Sequence, residues 1–208
     1  MNDLPDNAPS DPAPVCGLRE RKKQATRLAM HRAALELVAE GGLGAVTAER
    51  IAQRAGVSTR TFFNHWPTKE AAILGIHAEE REAVTAGLRE ALEAGTPPRE
   101  AVRAVLRRAI ASVPSDPELR RLKKQVMTRE ERLQSISTGN TMETQIDMID
   151  VLEQALTGPE ARERAIIAIQ LGFALTRSAF AISMRRGTDV VEAFDHVVAL
   201  YDSGEVLP

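Results

Sequence analysis

The chain has 208 residues, of which 43% are hydrophobic and 27% are charged, a composition typical of a globular protein with one large domain or two small ones. No run of about eighteen apolar residues is present, so no membrane span is expected, and the N-terminus lacks the pattern of a secretory signal. The single cysteine, Cys16, cannot form an internal disulfide bond, which favours a cytoplasmic location.

The formal net charge of −2 conceals an uneven distribution. Between Arg19 and Lys69 ten basic residues stand against four acidic ones, whereas residues 70–208 hold seventeen basic and twenty-two acidic residues. Two interpretations fit this asymmetry: ordinary variation of a solvated surface, or a basic module that meets a polyanion and is followed by an acidic body that does not.

Helical periodicity continues along most of the chain, and no strand or hairpin pattern persists, so an all-α fold is predicted. Four prolines predict that residues 1–18 form a disordered tail. Glycines, prolines and capping residues then divide about nine helices. They are predicted over about 19–41, from 47 to 56, up to 67, from 68 to about 94, from 97 to about 113, over 116–156 with a break near 137–140, from 159 to 186, and over about 189–201.

The second and third helices carry the pattern of a helix-turn-helix. Small residues, Ala52 and Ala55, allow a close approach of the two helices, and Gly56 supplies the turn. The third helix is only about two turns long, and Phe62 and Trp66 lie four residues apart on it. We therefore expect these two rings to be the buried anchors that hold the third helix in place.

The opposite face of the third helix carries hydroxyls, a guanidinium, an amide and an imidazole. It also carries a phenyl ring, which is unusual on a surface exposed to solvent. Such groups recognise phosphates and the edges of bases, so this face is a candidate DNA-binding surface. Its members are Thr59, Arg60, Phe63 and Asn64, with Ser58, Thr61 and His65 beside them.

The stretch "AALELVAEGGLGAVTAERIAQRAGVSTRTFFNHWPTKEAAIL" resembles the DNA-binding region of the tetracycline-repressor (TetR) family of bacterial transcription regulators, from about Arg27 to Leu74. Beyond Leu74 only the helical architecture is similar. The resemblance implies that the third helix enters the major groove and that Thr47 and Lys69 hold phosphates. It further implies that Thr59, Arg60 and Asn64 read base edges.

By the same resemblance, Thr61, Phe63 and His65 contact sugar, phosphate or thymine methyl groups. Many family members have a tyrosine hydroxyl on a phosphate where this chain has Phe63, so that contact must be apolar here or be replaced. The basic run "RERKK" ahead of the first helix has two interpretations: an arm that reaches DNA, or a frayed, solvated helix start.

The resemblance also implies a homodimeric body, residues 68–208, that binds a small-molecule effector. The stretch 166–184 is apolar on more than one face, so it must be covered on two sides, and with the last helix it predicts a four-helix interface between two copies. The few aromatic residues of the body favour an aliphatic or acyl effector over a flat aromatic one.

Candidate residues of the effector pocket are Met127, Met142, Phe173 and Arg177. Arg177 lies within an apolar stretch and would need an anion if it were buried. That anion is either a ligand group or a carboxylate of this chain, and the second alternative is favoured. The candidate carboxylates are those of Asp147, Asp150, Glu192 and Asp195.

No cofactor, metal site or enzyme activity is predicted, because the four histidines do not cluster and no phosphate-binding loop or nucleophile motif occurs. The sequence therefore predicts a helix-turn-helix DNA-binding domain over 19–67 and a ligand-binding and dimerisation domain over 68–208. The favoured function is a ligand-responsive repressor that binds a palindromic operator as a homodimer. The alternative is a helical small-molecule-binding or scaffold protein without sequence-specific DNA binding.

Overall fold

A computed structural model describes residues 17–114 and 116–205 of the chain. Within these ranges the fold is all-α, as predicted, with ten α-helices, one 3-10 helix and no strand. Almost all of the expected disordered tail, residues 1–16, lies outside the described residues. The α-helices are α1 Leu18–Gly41, α2 Ala48–Arg54, α3 Thr59–His65, α4 Lys69–Leu74, α5 Ala78–Glu93, α6 Pro98–Ala111, α7 Pro117–Arg129, α8 Glu131–Ala155, α9 Ala161–Arg186 and α10 Val190–Ser203, and the 3-10 helix η1 is Leu43–Ala45.

Two of the predicted boundaries are wrong. The single fourth helix predicted over 68–94 is divided into α4 and α5, because Gly75 adopts a left-handed conformation (φ 67°) and its N–H closes α4 on the carbonyl of Ala71. The predicted break near 137–140 does not occur, since these residues lie inside α8. The chain instead breaks at Glu130, whose carboxylate accepts a hydrogen bond from the N–H of Leu43 (3.0 Å).

Buried side chains form two hydrophobic clusters. The first cluster joins α1 to α4 and is completed by Leu119, Val126 and Leu133 from α7 and the beginning of α8. The second cluster lies among α5, α6, α8, α9 and α10. The chain passes from the first cluster to the second at the connection between α4 and α5, residues 75–77.

Three contacts fix the α4–α5 connection against the first cluster. The Nδ1 atom of His31, on α1, lies 2.7 Å from the carbonyl oxygen of Ala72, which can only accept, so this nitrogen carries the proton. The Nζ atom of Lys123 donates to the carbonyl of Leu74 (2.6 Å). A Cβ atom added to Gly75 would lie 3.1 Å from the His31 ring, so the backbone passes close to this imidazole.

Gly75→Ala should therefore destabilise the protein more than Gly95→Ala. Both glycines have positive φ, but a Cβ atom at Gly95 would meet nothing within 4 Å. In both variants the left-handed backbone should lower the free energy of unfolding by about 1 kcal/mol. In Gly75→Ala, crowding against the His31 ring should lower it by about 1–3 kcal/mol more. Urea unfolding of the two variants measures this difference. Equal losses would show that the His31 ring simply moves aside.

Acidification should destabilise the folded protein between about pH 6.5 and pH 4. Burial lowers the pKa of His31 from 6.5 to about 4, and burial likewise lowers the pKa of His77 to about 4. In this window the unfolded chain binds protons that the folded chain does not, so the free energy of unfolding falls as the pH falls.

The buried His31 alone should account for about 3 kcal/mol of this loss. His31→Gln should flatten the pH dependence of urea unfolding relative to the parent protein. His196→Gln, on an exposed position of α10, is the matched control and should leave the profile as it is. An unchanged profile in His31→Gln would contradict the assignment.

Candidate nucleic-acid interface and cavity

Helix α3 has seven residues, too few to be stable in isolation, so its position depends on its contacts. The Ser58 hydroxyl caps its N-terminus by accepting a hydrogen bond from the N–H of Thr61 (3.0 Å). Phe62 is 0% exposed and Trp66, the C-terminal cap, is 1% exposed. The prediction that these two rings anchor the third helix is confirmed.

The remaining side chains of α3 form an outward surface. Arg60, Phe63 and Asn64 are exposed, while Thr59, Thr61 and His65 are half-buried at its edges. The Phe63 ring is 54% exposed and stands edge-on to the buried Phe62 ring, with the ring centroids 5.3 Å apart. An exposed ring between an exposed guanidinium and an exposed amide gives the surface both apolar and hydrogen-bonding contacts.

Thr47 and Lys69 lie at the first turns of two other helices. Thr47 is exposed, and its hydroxyl caps α2 by accepting a hydrogen bond from the N–H of Arg50 (3.3 Å). Lys69 is half-buried, and its ammonium donates to the carbonyls of Leu43 (3.1 Å) and Val46 (2.8 Å). Lys69 therefore ties the start of α4 to η1, a role that the sequence did not reveal, and retains one N–H donor of three for another acceptor.

The basic run at residues 19–23 belongs to the first turns of α1 rather than to a separate arm. It borders a concave surface that is closed at one side by His65 of α3 and lined by Arg19, Lys22, Lys23 and Thr26. Burial and then the nearby charges of Arg27 and Lys23 lower the pKa of His65. Positive charge of α1 is thus brought beside the outward surface of α3.

The second cluster borders a cavity of 470 Å³ between the α4–α5 connection and helices α5, α6, α8 and α9. Its wall is mainly apolar, and Phe173 is among the lining residues. Besides the hydroxyl of Ser112, which donates to the carbonyl of Ala109, three threonine hydroxyls line it, and each donates to the backbone carbonyl four residues earlier, which leaves its oxygen lone pairs as acceptors. They belong to Thr141, Thr144 and Thr176.

The other three predicted pocket residues do not line this cavity. Met127 packs against the first cluster, and Met142 is 62% exposed on α8. Arg177 is exposed, so the expectation of a buried guanidinium is wrong for the single chain. The reason is that the apolar residues around it on α9 also face outward.

The carboxylates proposed for Arg177 are largely engaged elsewhere. Asp147 pairs with Arg81 (3.2 Å) and Asp150 with Arg162 (3.1 Å). Asp195 forms a two-point pair with Arg107, at 2.8 Å for both contacts. Among the described residues, no ion pair joins Arg177 to these three carboxylates or to Glu192, the fourth candidate, so the favoured alternative is not formed within the chain.

The described residues define an all-helical protein with a helix-turn-helix and a separate cavity. Residues 31–74 match the family model described as "Bacterial regulatory proteins, tetR family". In this N-terminal region the chain is similar to the TetR family, and the predicted resemblance is confirmed.

Two known proteins illustrate the similarity. The HTH-type transcriptional regulator TcmR of Streptomyces glaucescens is 38% identical over 97 residues, which are 47% of this chain and 42% of that protein. The chain thus matches less than half the length of this curated relative. NalD, the secondary repressor of the MexAB-OprM multidrug efflux pump in Pseudomonas aeruginosa, is 24% identical, with a TM-score of 0.53 over 87% of this chain and 97% of that one. This second likeness supports the fold.

Phe62→Ala and Phe63→Ala should separate stability from surface chemistry at adjacent positions. Removing the fully buried Phe62 ring should cost about 3–5 kcal/mol of unfolding free energy. Removing the exposed Phe63 ring should change the unfolding free energy by no more than about 0.5 kcal/mol. Thermal and urea unfolding measure both, and a large loss in Phe63→Ala would mean that this ring holds the fold rather than a ligand.

Proposed function

We propose that the protein is a ligand-responsive transcription regulator of the bacterial cytoplasm, a repressor that binds a palindromic operator as a homodimer. The observation that carries this proposal is the outward surface of α3. Arg60, Phe63 and Asn64 are exposed on a helix whose position is fixed by two buried rings. A rigid helix that presents such groups suits the major groove, where they can reach base edges.

Each predicted DNA-binding residue has a role in this proposal. Arg60, Asn64 and Thr59 read base edges, and Phe63 contacts a thymine methyl group or the sugar backbone. Phosphates are held from helix ends and from the edge of α3, where the side chains are positioned without reading sequence. These phosphate-binding residues are Thr47, Ser58, Thr61, His65 and Lys69, with the basic start of α1 beside them.

Dimerisation is proposed through α9 and α10, within a body that comprises residues 68–208. Helix α9 is long and apolar enough to span a membrane by composition, with a mean hydropathy of 1.7, yet only 28% of its most apolar window is buried within the chain. On this helix Ile167 is 65% exposed and Met184 is 43% exposed. Two copies that pair these faces would cover this apolar surface in a four-helix interface.

The cavity of 470 Å³ is the proposed effector site. A mainly apolar wall suits an aliphatic or acyl group, and the hydroxyl oxygens that face the cavity can accept hydrogen bonds from a polar end. Binding to the cavity would release DNA by favouring the form of the dimer in which the two α3 helices do not fit the operator.

Capture of genomic fragments on the purified protein, followed by sequencing and footprinting, tests the function. We expect enrichment of an inverted repeat whose half-sites lie about one duplex turn apart, roughly 34–36 Å. Arg60→Ala should lose about 1–3 kcal/mol on this site and relax the choice at one base pair. Arg89→Ala removes the same charge from an exposed position on α5 and is the control. No enrichment of any fragment would favour the alternative of a scaffold that does not read DNA.

A further inference from the structure

His77 belongs to both parts of the molecule. It is the last residue of the α4–α5 connection, and its imidazole stacks on the Trp66 indole, with ring centroids 4.0 Å apart and planes 23° from parallel. The same residue lines the 470 Å³ cavity together with Ile76 and Glu80. One residue therefore contacts the C-terminal cap of α3 and lines the proposed effector site.

Trp66 transmits any change at its ring directly to α3. Its backbone N–H closes the helix on the carbonyl of Phe62 (2.8 Å), and its side chain is 1% exposed. A fully buried indole cannot tilt without moving the helix end that carries it. The position of the indole is thus coupled to the orientation of His65 and Asn64 on the same last turn.

The α4–α5 connection is held firmly at its beginning, near Gly75, and weakly at its end, at His77. Lys123 donates to the carbonyl of Leu74, and Gly75 lies against His31, so the beginning of the connection is fixed. Within residues 17–114 and 116–205 the His77 ring makes no hydrogen bond, so stacking is what holds it. Burial keeps the pKa of His77 near 4, and the ring is therefore uncharged at neutral pH and can move without displacing a buried charge.

We infer that His77 couples occupancy of the cavity to α3: a ligand that displaces the imidazole breaks its stack on Trp66 and frees the C-terminal end of the DNA-reading helix. This inference rests on the proposed function of the cavity as the effector site. The occupant is any molecule whose aliphatic part fills the cavity as far as the α4–α5 connection. The ligand shifts the equilibrium by its differential affinity for the unstacked form.

A covalent occupant of known length tests this coupling without the natural effector. Cys16→Ser removes the only native thiol, and Ala109→Cys then places one thiol on the cavity wall. Reaction with methyl methanethiosulfonate leaves the cavity nearly empty, whereas reaction with octyl methanethiosulfonate fills it. Ala104→Cys, exposed on the same helix and outside the cavity lining, is the matched control.

Trp66 is the only tryptophan, so its fluorescence reports the stack directly. We expect the octyl adduct at position 109 to shift the emission to the red and to weaken binding to the captured operator about tenfold. The methyl adduct and both adducts at position 104 should do neither. His77→Ala should abolish the fluorescence response to the octyl group, while His77→Phe, which keeps a stacking ring, should retain it.

The inference is overturned if the octyl adduct at position 109 leaves Trp66 emission equal to that of the methyl adduct. It is also overturned if His77→Ala responds as strongly as the parent, because the signal would then pass by another route. Failure of the proposed function looks different. The fluorescence response would persist in a protein that captures no genomic DNA.

Discussion

The burial of two aromatic rings is the interaction on which the proposed DNA-binding surface depends. A seven-residue helix has too few internal hydrogen bonds to offset the free-energy cost of helix nucleation. Helix α3 is therefore stable because Phe62 and Trp66 are buried. Each ring contributes about 3–5 kcal/mol by its packing. The spacing of four residues puts both rings on one side and leaves Arg60 and Asn64 on the other.

The hydrophobic cluster that supports α3 does not consist of side chains from the N-terminal helices alone. Leu119, Val126 and Leu133, from helices that follow α6 in the chain, complete the first cluster. Glu130 holds the N–H of Leu43, and Arg32 pairs with Asp116 across the same boundary. Helices of the proposed effector-binding body thus form part of the support for the reading helix. Packed side chains as well as the chain itself therefore connect these helices to the support of α3.

Most of the fold, and the outward surface of α3, could be predicted because they rest on local signals. The predicted helix starts near residues 116 and 189 are confirmed: Asp116 and Asp189 accept hydrogen bonds from N–H groups in the first turns of α7 and α10. Periodicity placed Phe62 inside and Phe63 outside. These signals act over three or four residues, which is the range that a single sequence reveals.

The errors arose where tertiary contacts decide. Gly75 in a helical pattern costs only about 1 kcal/mol, so a continuous helix was a reasonable prediction, and it is the His31 ring and the Lys123 ammonium that favour a turn there. Gly139 has open space around it and stays in α8. The second function of Lys69, as a donor to η1, likewise depends on residues more than twenty positions away.

The exposed position of Arg177 is likewise explained by the surroundings of its helix rather than by the local sequence. Arg177 lies on one side of α9, and the neighbouring residues on that side, Ile166, Gln170 and Met184, are also exposed. Gly172 faces inward, and a Cβ atom at this position would be 2.7 Å from the Leu106 side chain. A guanidinium halfway along an apolar helix costs at least about 2.5 kcal/mol in the middle of a bilayer. Arginine is, by contrast, enriched in interfaces between proteins. The exposed apolar face of α9 is therefore better suited to a protein surface than to lipid.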